Sequence, residues 1–173
     1  MNVIPDYILG DFDSINKMVL EKYKKQNIKI KELNPEKDFT DTAEAINLAI
    51  ELKSTEITII GAIGTRIDHV LANIHILKKS LDKNIKTKII NENNEIQLIN
   101  KELVIEKNKT YKYISIMPLT TVVKGITLTG MKYPLTNYNL NIGNSLGVSN
   151  EQIEKKAKIQ IKEGILIIIK SRD

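Results

Sequence analysis

Five of the eight aspartates in this 173-residue chain fall in three short polar stretches. Asp11 and Asp13 lie in ILGDFDSI, Asp38 and Asp41 in KDFTDT, and Asp68 in GAIGTRIDH. Carboxylates this close repel each other, and Asp is a poor strand residue. A hard divalent cation relieves the repulsion, and Mg²⁺ is usually held by one or two carboxylates with water and substrate phosphates. Three such stretches together therefore favour a metal and phosphate site, although Asp in a loop also caps helices and makes turns.

The stretch GAIGTR adds a feature that complements the carboxylates. Gly61 and Gly64 let backbone N–H groups approach a ligand closely, and the start of a helix just after them favours an anion. Arg66 offers a forked donor that suits phosphate. The loop has neither the Gly-Lys-Ser/Thr ending of a Walker A motif nor the Gly-x-Gly-x-x-Gly pattern. The alternative is an ordinary strand-to-helix turn in which Arg66 is exposed or paired with Asp68.

The elements that must position these residues follow from the apolar spacing. Residues 1–90 alternate between strand-like runs (7–9, 28–33, 57–60, 87–90) and helical patterns (15–26, 43–52, 67–77). Thr40 or Asp41 is well suited to cap the second helix. The alternation predicts a mainly parallel, Rossmann-like sheet covered on both faces. Ligands bind beyond the carboxyl ends of the strands in such sheets, so the three aspartate groups are expected to converge there.

The pattern changes after about residue 91. Short alternating runs follow one another with turns between them: EIQLI, ELVIE, YKYISIMPL, GITLTG, AKIQIKEG and ILIIIK. Helical periodicity is largely missing, which is typical of an antiparallel β sandwich or roll. We therefore predict two directly packed domains: an α/β domain over residues 1–90 and an all-β sandwich domain over residues 91–173.

Composition narrows the class of protein. Apolar residues make up 42% and charged residues 27% of the chain, as in ordinary globular proteins, and no apolar run is long enough to span a membrane. The absence of cysteine excludes disulfides and thiolate metal sites. No signal peptide is recognisable, so the cytoplasm is the expected compartment. The net charge is +5, but the lysines are scattered and only two arginines occur, so no nucleic-acid partner is expected.

Several segments together resemble the thiamine pyrophosphokinase family. They are PDYILGDFDS, KDFTDTAEAI and GAIGTRIDHVLANIHIL, in that order, and the later PLT…GITLTGMKYPL and GVSNE. The resemblance spans essentially the whole chain. It implies an α/β nucleotide domain joined to a β sandwich, a homodimer, and Mg²⁺-dependent transfer of pyrophosphate from ATP to the thiamine hydroxyl, leaving AMP.

The resemblance also implies roles for individual residues. The metal-binding and catalytic carboxylates would be Asp11, Asp13 and Asp41, with Asp68 as a further catalytic carboxylate. The residues lining the nucleotide and thiamine sites would be Asp38, Thr40, Gly64, Arg66, Ser149 and Asn150. The last two would form part of the thiamine pocket across the dimer, and either Asp41 or Asp68 would accept the hydroxyl proton.

The chain departs from the family pattern at two points. Gly64-Thr65-Arg66 stands where members usually have Gly-Gly-Arg, so Thr65 is expected to keep a negative φ. Members also carry an additional strand and an Asp-Gly-Gly turn before the Pro-Asp segment, and we expect this chain to lack both. Two alternatives stay open: a pyrophosphokinase for another hydroxymethyl heterocycle such as a pterin, and a truncated non-catalytic protein that binds thiamine or nucleotide.

Overall fold

Two units make up the chain, residues 1–53 and residues 54–173. The structure, a computed structural model, describes residues 4–13, 15, 17–26, 28–34, 36 and 38–173. Within these residues no helix is long and apolar enough to cross a membrane. The helices and strands of the first 90 residues occur where the apolar spacing predicts them, although Asn16 of the first predicted helix lies outside the described residues.

The first unit is a parallel β-α-β arrangement followed by a helix. Its elements are β1 (Tyr7–Gly10), α1 (Lys17–Lys24), β2 (Lys29–Glu32) and α2 (Asp41–Glu51). β1 and β2 pair in parallel, with Tyr7 opposite Lys29. α2 contacts β1, and Ala43 and Ile46, three positions apart on the helix, are buried. Thr40 caps α2, because its Oγ1 accepts a hydrogen bond from the Ala43 N–H at 3.3 Å, as predicted.

The second unit holds one helix and two sheets. The helix is α3 (Ile67–Leu81), and the strands are β3 (Glu56–Ile60), β4 (Lys86–Ile90), β5 (Asn94–Ile99), β6 (Glu102–Glu106), β7 (Tyr113–Pro118), β8 (Val122–Thr129), β9 (Leu135–Asn141), β10 (Asn150–Glu151), β11 (Lys156–Gln160) and β12 (Leu166–Ser171). The larger sheet has the order β10-β7-β12-β5-β4-β3, and the smaller one has the order β6-β11-β8-β9. This is a mixed α/β segment followed by a β-rich one.

Side-chain alternation along β12 divides the core of the second unit into two clusters. Leu166 and Ile168 lie in a cluster shared with the four-stranded sheet. Ile167 and Ile169 point to the other face and pack against a cluster that includes Ile74 and other residues of α3. The six-stranded sheet is therefore the middle layer of this unit, with α3 on one face and the smaller sheet on the other.

One mainly parallel sheet for residues 1–90 was predicted, and the structure corrects this. The pairs β1–β2 and β3–β4 are both parallel, but they belong to different sheets, and the larger of the two sheets is mixed. β4 is joined to the β-rich segment of the mixed sheet by a turn at Asn91, whose Oδ1 accepts hydrogen bonds from the N–H groups of Asn93 and Asn94. This tight turn reverses the chain, so β5 pairs antiparallel with β4.

The predicted domain boundary between residues 90 and 91 falls at this same turn. It lies between two neighbouring strands of the six-stranded sheet, β4 and β5. The contacts of the chain instead divide it after Lys53. The domain boundary between residues 90 and 91 therefore stays a prediction.

Two glycines of the second unit differ in the space around them and give a matched stability test. Both have positive φ, but a Cβ on Gly130 would lie 2.3 Å from the Lys156 carbonyl oxygen, whereas a Cβ on Gly143 would meet nothing within 4 Å. We expect Gly143→Ala to lower the free energy of unfolding by about 1–2 kcal/mol through backbone strain alone. Gly130→Ala adds the clash and should lower it by about 3 kcal/mol or more. Urea denaturation measures both, and equal losses would contradict the packing at Gly130.

Candidate functional site

A tight turn at the end of β1 carries the first two predicted carboxylates. Phe12 has a φ of 58°, and the Asp13 N–H donates a hydrogen bond to Asp11 Oδ1 at 3.4 Å. The Gly10 carbonyl accepts from the Leu33 N–H at 2.9 Å, which ties the end of β1 to the residue after β2. The turn thus holds Asp11 and Asp13 together at the carboxyl end of β1, as expected from their spacing.

The Asp41 carboxylate lies against the same end of β1. Asp41 is the first residue of α2, and its Oδ2 is 3.9 Å from the point that a Cβ on Gly10 would occupy. The structure therefore brings Asp41 beside the residue that precedes Asp11. Asp38 is exposed in the segment before Thr40, and the Thr40 hydroxyl is used as the helix cap.

A metal ion could use these carboxylates, since their oxygens are the ligand type that Mg²⁺ prefers. Within the described part of the chain, however, no three His, Cys, Asp or Glu side chains lie close enough together to form a metal site. The set of Asp11, Asp13 and Asp41 therefore stays a prediction. Two observations support this prediction: all three side chains are carboxylates, and all three lie at or beside the carboxyl end of β1.

In the second unit, the loop after β3 presents unused backbone donors. Gly61 begins the loop with a φ of +82°, a conformation that suits glycine. The N–H groups of Ile63, Gly64 and Thr65 donate no hydrogen bond to any described residue. Thr65 does not have a positive φ, as predicted for a non-glycine residue here. A loop with three unengaged N–H groups just before a helix is suited to bind an anion.

The start of α3 carries an exposed ion pair. Arg66 donates to both carboxylate oxygens of Asp68, at 2.6 Å from Nη2 and 3.2 Å from Nε. The hydrogen bond from Arg66 lowers the pKa of Asp68 to about 2, and the same pairing raises the pKa of Arg66. The alternative interpretation of Arg66, as the partner of Asp68, is thus what the structure contains. Exposed pairs of this kind are weak and screened by salt, so a phosphate can compete for the guanidinium.

Ser149 and Asn150, the two residues of the GVSNE segment that were predicted to line the thiamine pocket, make different hydrogen bonds. Ser149 has a φ of 60°, and its N–H donates to Ser115 Oγ at 2.9 Å. The Asn150 side chain is buried and bonds both backbone groups of Tyr133: Oδ1 accepts from the N–H at 3.0 Å, and Nδ2 donates to the carbonyl at 2.8 Å. Asn150 therefore shapes the surface around Tyr133.

An apolar cleft lies beside this segment and has a volume of about 220 Å³. Its lining residues are Leu128, Tyr133, Leu135, Leu146, Gly147, Val148 and Asn150. Sequence reasoning found only Asn150 among them. The segments GITLTGMKYPL and GVSNE did contain five others, but apolar residues in strands and turns give no sign of whether they line a cleft or a core.

Comparisons with known proteins place these features in a family. Residues 1–89 match the family model "Thiamin pyrophosphokinase, catalytic domain", and residues 100–166 match "Thiamin pyrophosphokinase, vitamin B1 binding domain". The chain is 38% identical over 172 residues to thiamine pyrophosphokinase of Bacillus subtilis (strain 168), covering 99% of this chain and 80% of the relative.

Solved structures agree with the sequence matches. The crystal structure of thiamine pyrophosphokinase from Bacillus subtilis superposes with a TM-score of 0.93 at 37% identity, covering 99% of this chain and 81% of the other. The enzyme from Geobacillus thermodenitrificans gives a TM-score of 0.87 at 32% identity, with coverages of 98% and 78%. These matches define an enzyme of the diphosphotransferase class. The chain belongs to the thiamine pyrophosphokinase family, which confirms the resemblance found in the sequence.

The ion pair at the start of α3 gives a direct titration test. The hydrogen bond from Arg66 holds the pKa of Asp68 at about 2. In Arg66→Gln its pKa should rise toward the ordinary value of about 3.9, because the main stabilising partner of the charged form is gone. NMR titration of the Asp68 side-chain carbon measures the shift. Arg172→Gln, at the other arginine of the chain, is the control and should leave the Asp68 pKa unchanged.

Proposed function

We propose that this chain transfers the pyrophosphate group of ATP to the hydroxyl of thiamine, giving thiamine diphosphate and AMP. The observation that carries the proposal is the order of the two family matches, a catalytic domain followed by a vitamin B1 binding domain. The first match contains the carboxylates and the N–H loop, and the second contains all seven residues that line the apolar cleft. A pterin acceptor and a non-catalytic role are not favoured by these matches.

The reaction needs alignment and charge neutralisation more than covalent help from the protein. The thiamine hydroxyl oxygen attacks the β-phosphorus of ATP, a new O–P bond forms, and the bond from that phosphorus to the oxygen bridging to the α-phosphate breaks, releasing AMP. Asp11, Asp13 and Asp41 would hold Mg²⁺, which supplies positive charge to the phosphate oxygens when bound.

The N–H loop and Arg66 would bind phosphate oxygens. The N–H groups of Ile63, Gly64 and Thr65, which have no partner in the described part of the chain, would offer hydrogen bonds without any rearrangement of secondary structure. Arg66 would exchange its exposed partner Asp68 for a phosphate, which matches the planar fork equally well. The loop would thus orient the triphosphate, and Gly64 keeps its open side free of a side chain, since nothing lies within 4 Å of a Cβ there.

Either Asp41 or Asp68 would accept the hydroxyl proton. Pairing with Arg66 holds the pKa of Asp68 at about 2, so Asp68 would act as a base only after Arg66 has moved to a phosphate. Asp41 lies beside the end of β1, near the turn that carries Asp11 and Asp13, and would act as a base only where it is not itself a ligand of Mg²⁺. Both carboxylates therefore stay candidates for this role.

The thiamine rings would occupy the apolar cleft next to Ser149. Tyr133 is 59% exposed at this cleft, and Lys132 Nζ already lies 5.5 Å from the centroid of its ring. The other face of the ring would attract a cationic ring such as thiazolium. Asn150 would act indirectly by fixing the Tyr133 backbone. Asp38 and Thr40 would line the nucleotide side, with Thr40 contributing through the position of α2.

Strand order supports a pocket shared between two subunits. The N–H loop follows β3 at one edge of the six-stranded sheet, and Ser149 precedes β10 at the opposite edge. Five strand spacings separate these edges, about 24 Å in a sheet of ordinary dimensions. That is farther than a thiamine hydroxyl and a bound triphosphate can span, so a homodimer in which each subunit supplies one part of the site is the arrangement we propose.

Activity and its metal dependence test the reaction. Incubation of the protein with ATP, MgCl₂ and thiamine should yield AMP and thiamine diphosphate in equal amounts. Asp13→Asn should raise the Mg²⁺ concentration needed for half-maximal rate by about tenfold or more, because one charged ligand is lost. Asp82→Asn, at an exposed aspartate paired with Lys78 at the far end of α3, is the control. An unchanged Mg²⁺ dependence in Asp13→Asn would remove Asp13 from the metal set.

Mixing two inactive variants tests the shared pocket. The double variant with Asp11→Asn and Asp13→Asn disables the metal part by removing two charged ligands, and Tyr133→Ala disables the cleft, so each homodimer should be inactive. After random subunit exchange, half of the dimers are mixed and each holds one intact site, so about a quarter of the wild-type activity should return. Light scattering on a sizing column checks the dimer mass. A fully active monomer, or no recovery from subunits shown to exchange, would rule out the shared pocket.

A further inference from the structure

A buried amide on α3 holds the N–H loop in place. Asn73 is 8% exposed, and its Nδ2 donates a hydrogen bond to the Ala62 carbonyl at 2.9 Å. The two residues are eleven positions apart, so the bond ties the loop between Gly61 and Arg66 to the second turn of the helix that follows it.

The position of Asn73 is one where an apolar residue is expected. The buried positions of α3 are Asn73, Ile74, Leu77 and Ser80, and the face they form packs against the apolar cluster under the six-stranded sheet. Asn has a lower helix propensity than Leu or Ala, and a buried amide costs free energy unless it is hydrogen-bonded. Packing alone therefore does not account for an amide here, whereas the bond to Ala62 does.

Anchoring the Ala62 carbonyl also sets the direction of the next N–H group. The peptide bond is planar and trans, so the Ile63 N–H points opposite to the Ala62 carbonyl. With that carbonyl held against α3, the Ile63 N–H is directed away from α3, and it is one of the three loop donors without a partner among the described residues. The side chains of Ala62 and Ile63 pack against the same apolar cluster, which limits rotation of this peptide further.

We propose that Asn73 is a positioning residue for phosphate binding: its bond to Ala62 presets the N–H groups of Ile63, Gly64 and Thr65 toward a phosphate-bearing ligand. The inference rests on the proposed function of this loop. Asn73 itself does not touch the ligand. Its loss lets the peptide between Ala62 and Ile63 rotate, so that donors must be ordered at the moment of binding.

The first test is binding of inorganic tripolyphosphate to the full chain, followed by NMR of the backbone amides. In the wild type, tripolyphosphate should shift the amide signals of Ile63, Gly64 and Thr65, and a through-hydrogen-bond coupling should connect Asn73 Nδ2 with the Ala62 carbonyl carbon. Absence of that coupling, or no binding by the wild type, overturns the proposal. This test needs no turnover, so it remains decisive even if no thiamine diphosphate is formed and the proposed function fails.

Two variants then separate positioning from stability. Asn73→Leu keeps the shape of the side chain without adding charge, and Asn73→Ala removes it; in both the Kd for tripolyphosphate should rise about tenfold, the scale of one lost or misdirected hydrogen bond. Ser80→Ala is the matched control, because Ser80 is buried on the same helix and donates to a carbonyl, that of Leu77, away from the loop.

The pattern across the variants decides the outcome. We expect both Asn73 variants to weaken tripolyphosphate binding, and in the active enzyme to raise KM for ATP with KM for thiamine unchanged, while Ser80→Ala lowers Tm only. An unchanged Kd in both Asn73 variants, or an equal rise in Ser80→Ala, overturns the proposal. If both Asn73 variants fail to fold, the wild-type coupling and amide shifts decide between support and rejection.

Discussion

Burial of β12 on both faces is the constraint on which the second unit depends. The strand runs from Leu166 to Ser171 and is hydrogen-bonded on both sides, to β5 and to β7. Leu166 and Ile168 fill the core shared with the four-stranded sheet, while Ile167 and Ile169 face the cluster under α3. Both apolar clusters therefore depend on side chains of this one strand. β12 in this way links the α/β and β-rich segments of the second unit through a shared core.

The same sheet determines the positions of the N–H loop and of the turn beside the apolar cleft. β3, at one edge, precedes the loop whose N–H groups have no partner among the described residues, and β10, at the other edge, follows the turn beside the apolar cleft. A rigid middle layer keeps these two features apart by its own width, since strand spacing is nearly constant. This separation is the physical reason for our proposal that a second subunit completes the site.

Several polar residues serve the fold in places where a ligand role was expected of them. Asn150 is fully engaged with the Tyr133 backbone, Thr40 caps α2, and Asp68 is held by Arg66. The two kinds of role differ in exposure. The buried Asn150 cannot leave its partners without stranding them, whereas the exposed pair of Asp68 and Arg66 can open at little cost. The buried Asn150 therefore shapes the surface around Tyr133, whereas the exposed Arg66 and Asp68 are able to exchange partners.

Structural features that depend on residues close together in the sequence could be predicted from it. Features that depend on long-range contacts could not. The helical spacing of α2 and α3, the cap at Thr40 and the paired aspartates after β1 depend on neighbours a few residues away, so pattern alone predicts them. The ordered motifs likewise indicated the family. Strand partners are different, because an apolar run looks the same whichever strand it pairs with. β3 and β4 therefore could not be assigned from the sequence to the mixed six-stranded sheet, and a single mainly parallel sheet with β1 and β2 was predicted for them. The bond from Asn73 to Ala62 and the cleft at Tyr133 were also decided only by tertiary structure, since each joins residues whose proximity depends on how the sheet and its covering layers pack.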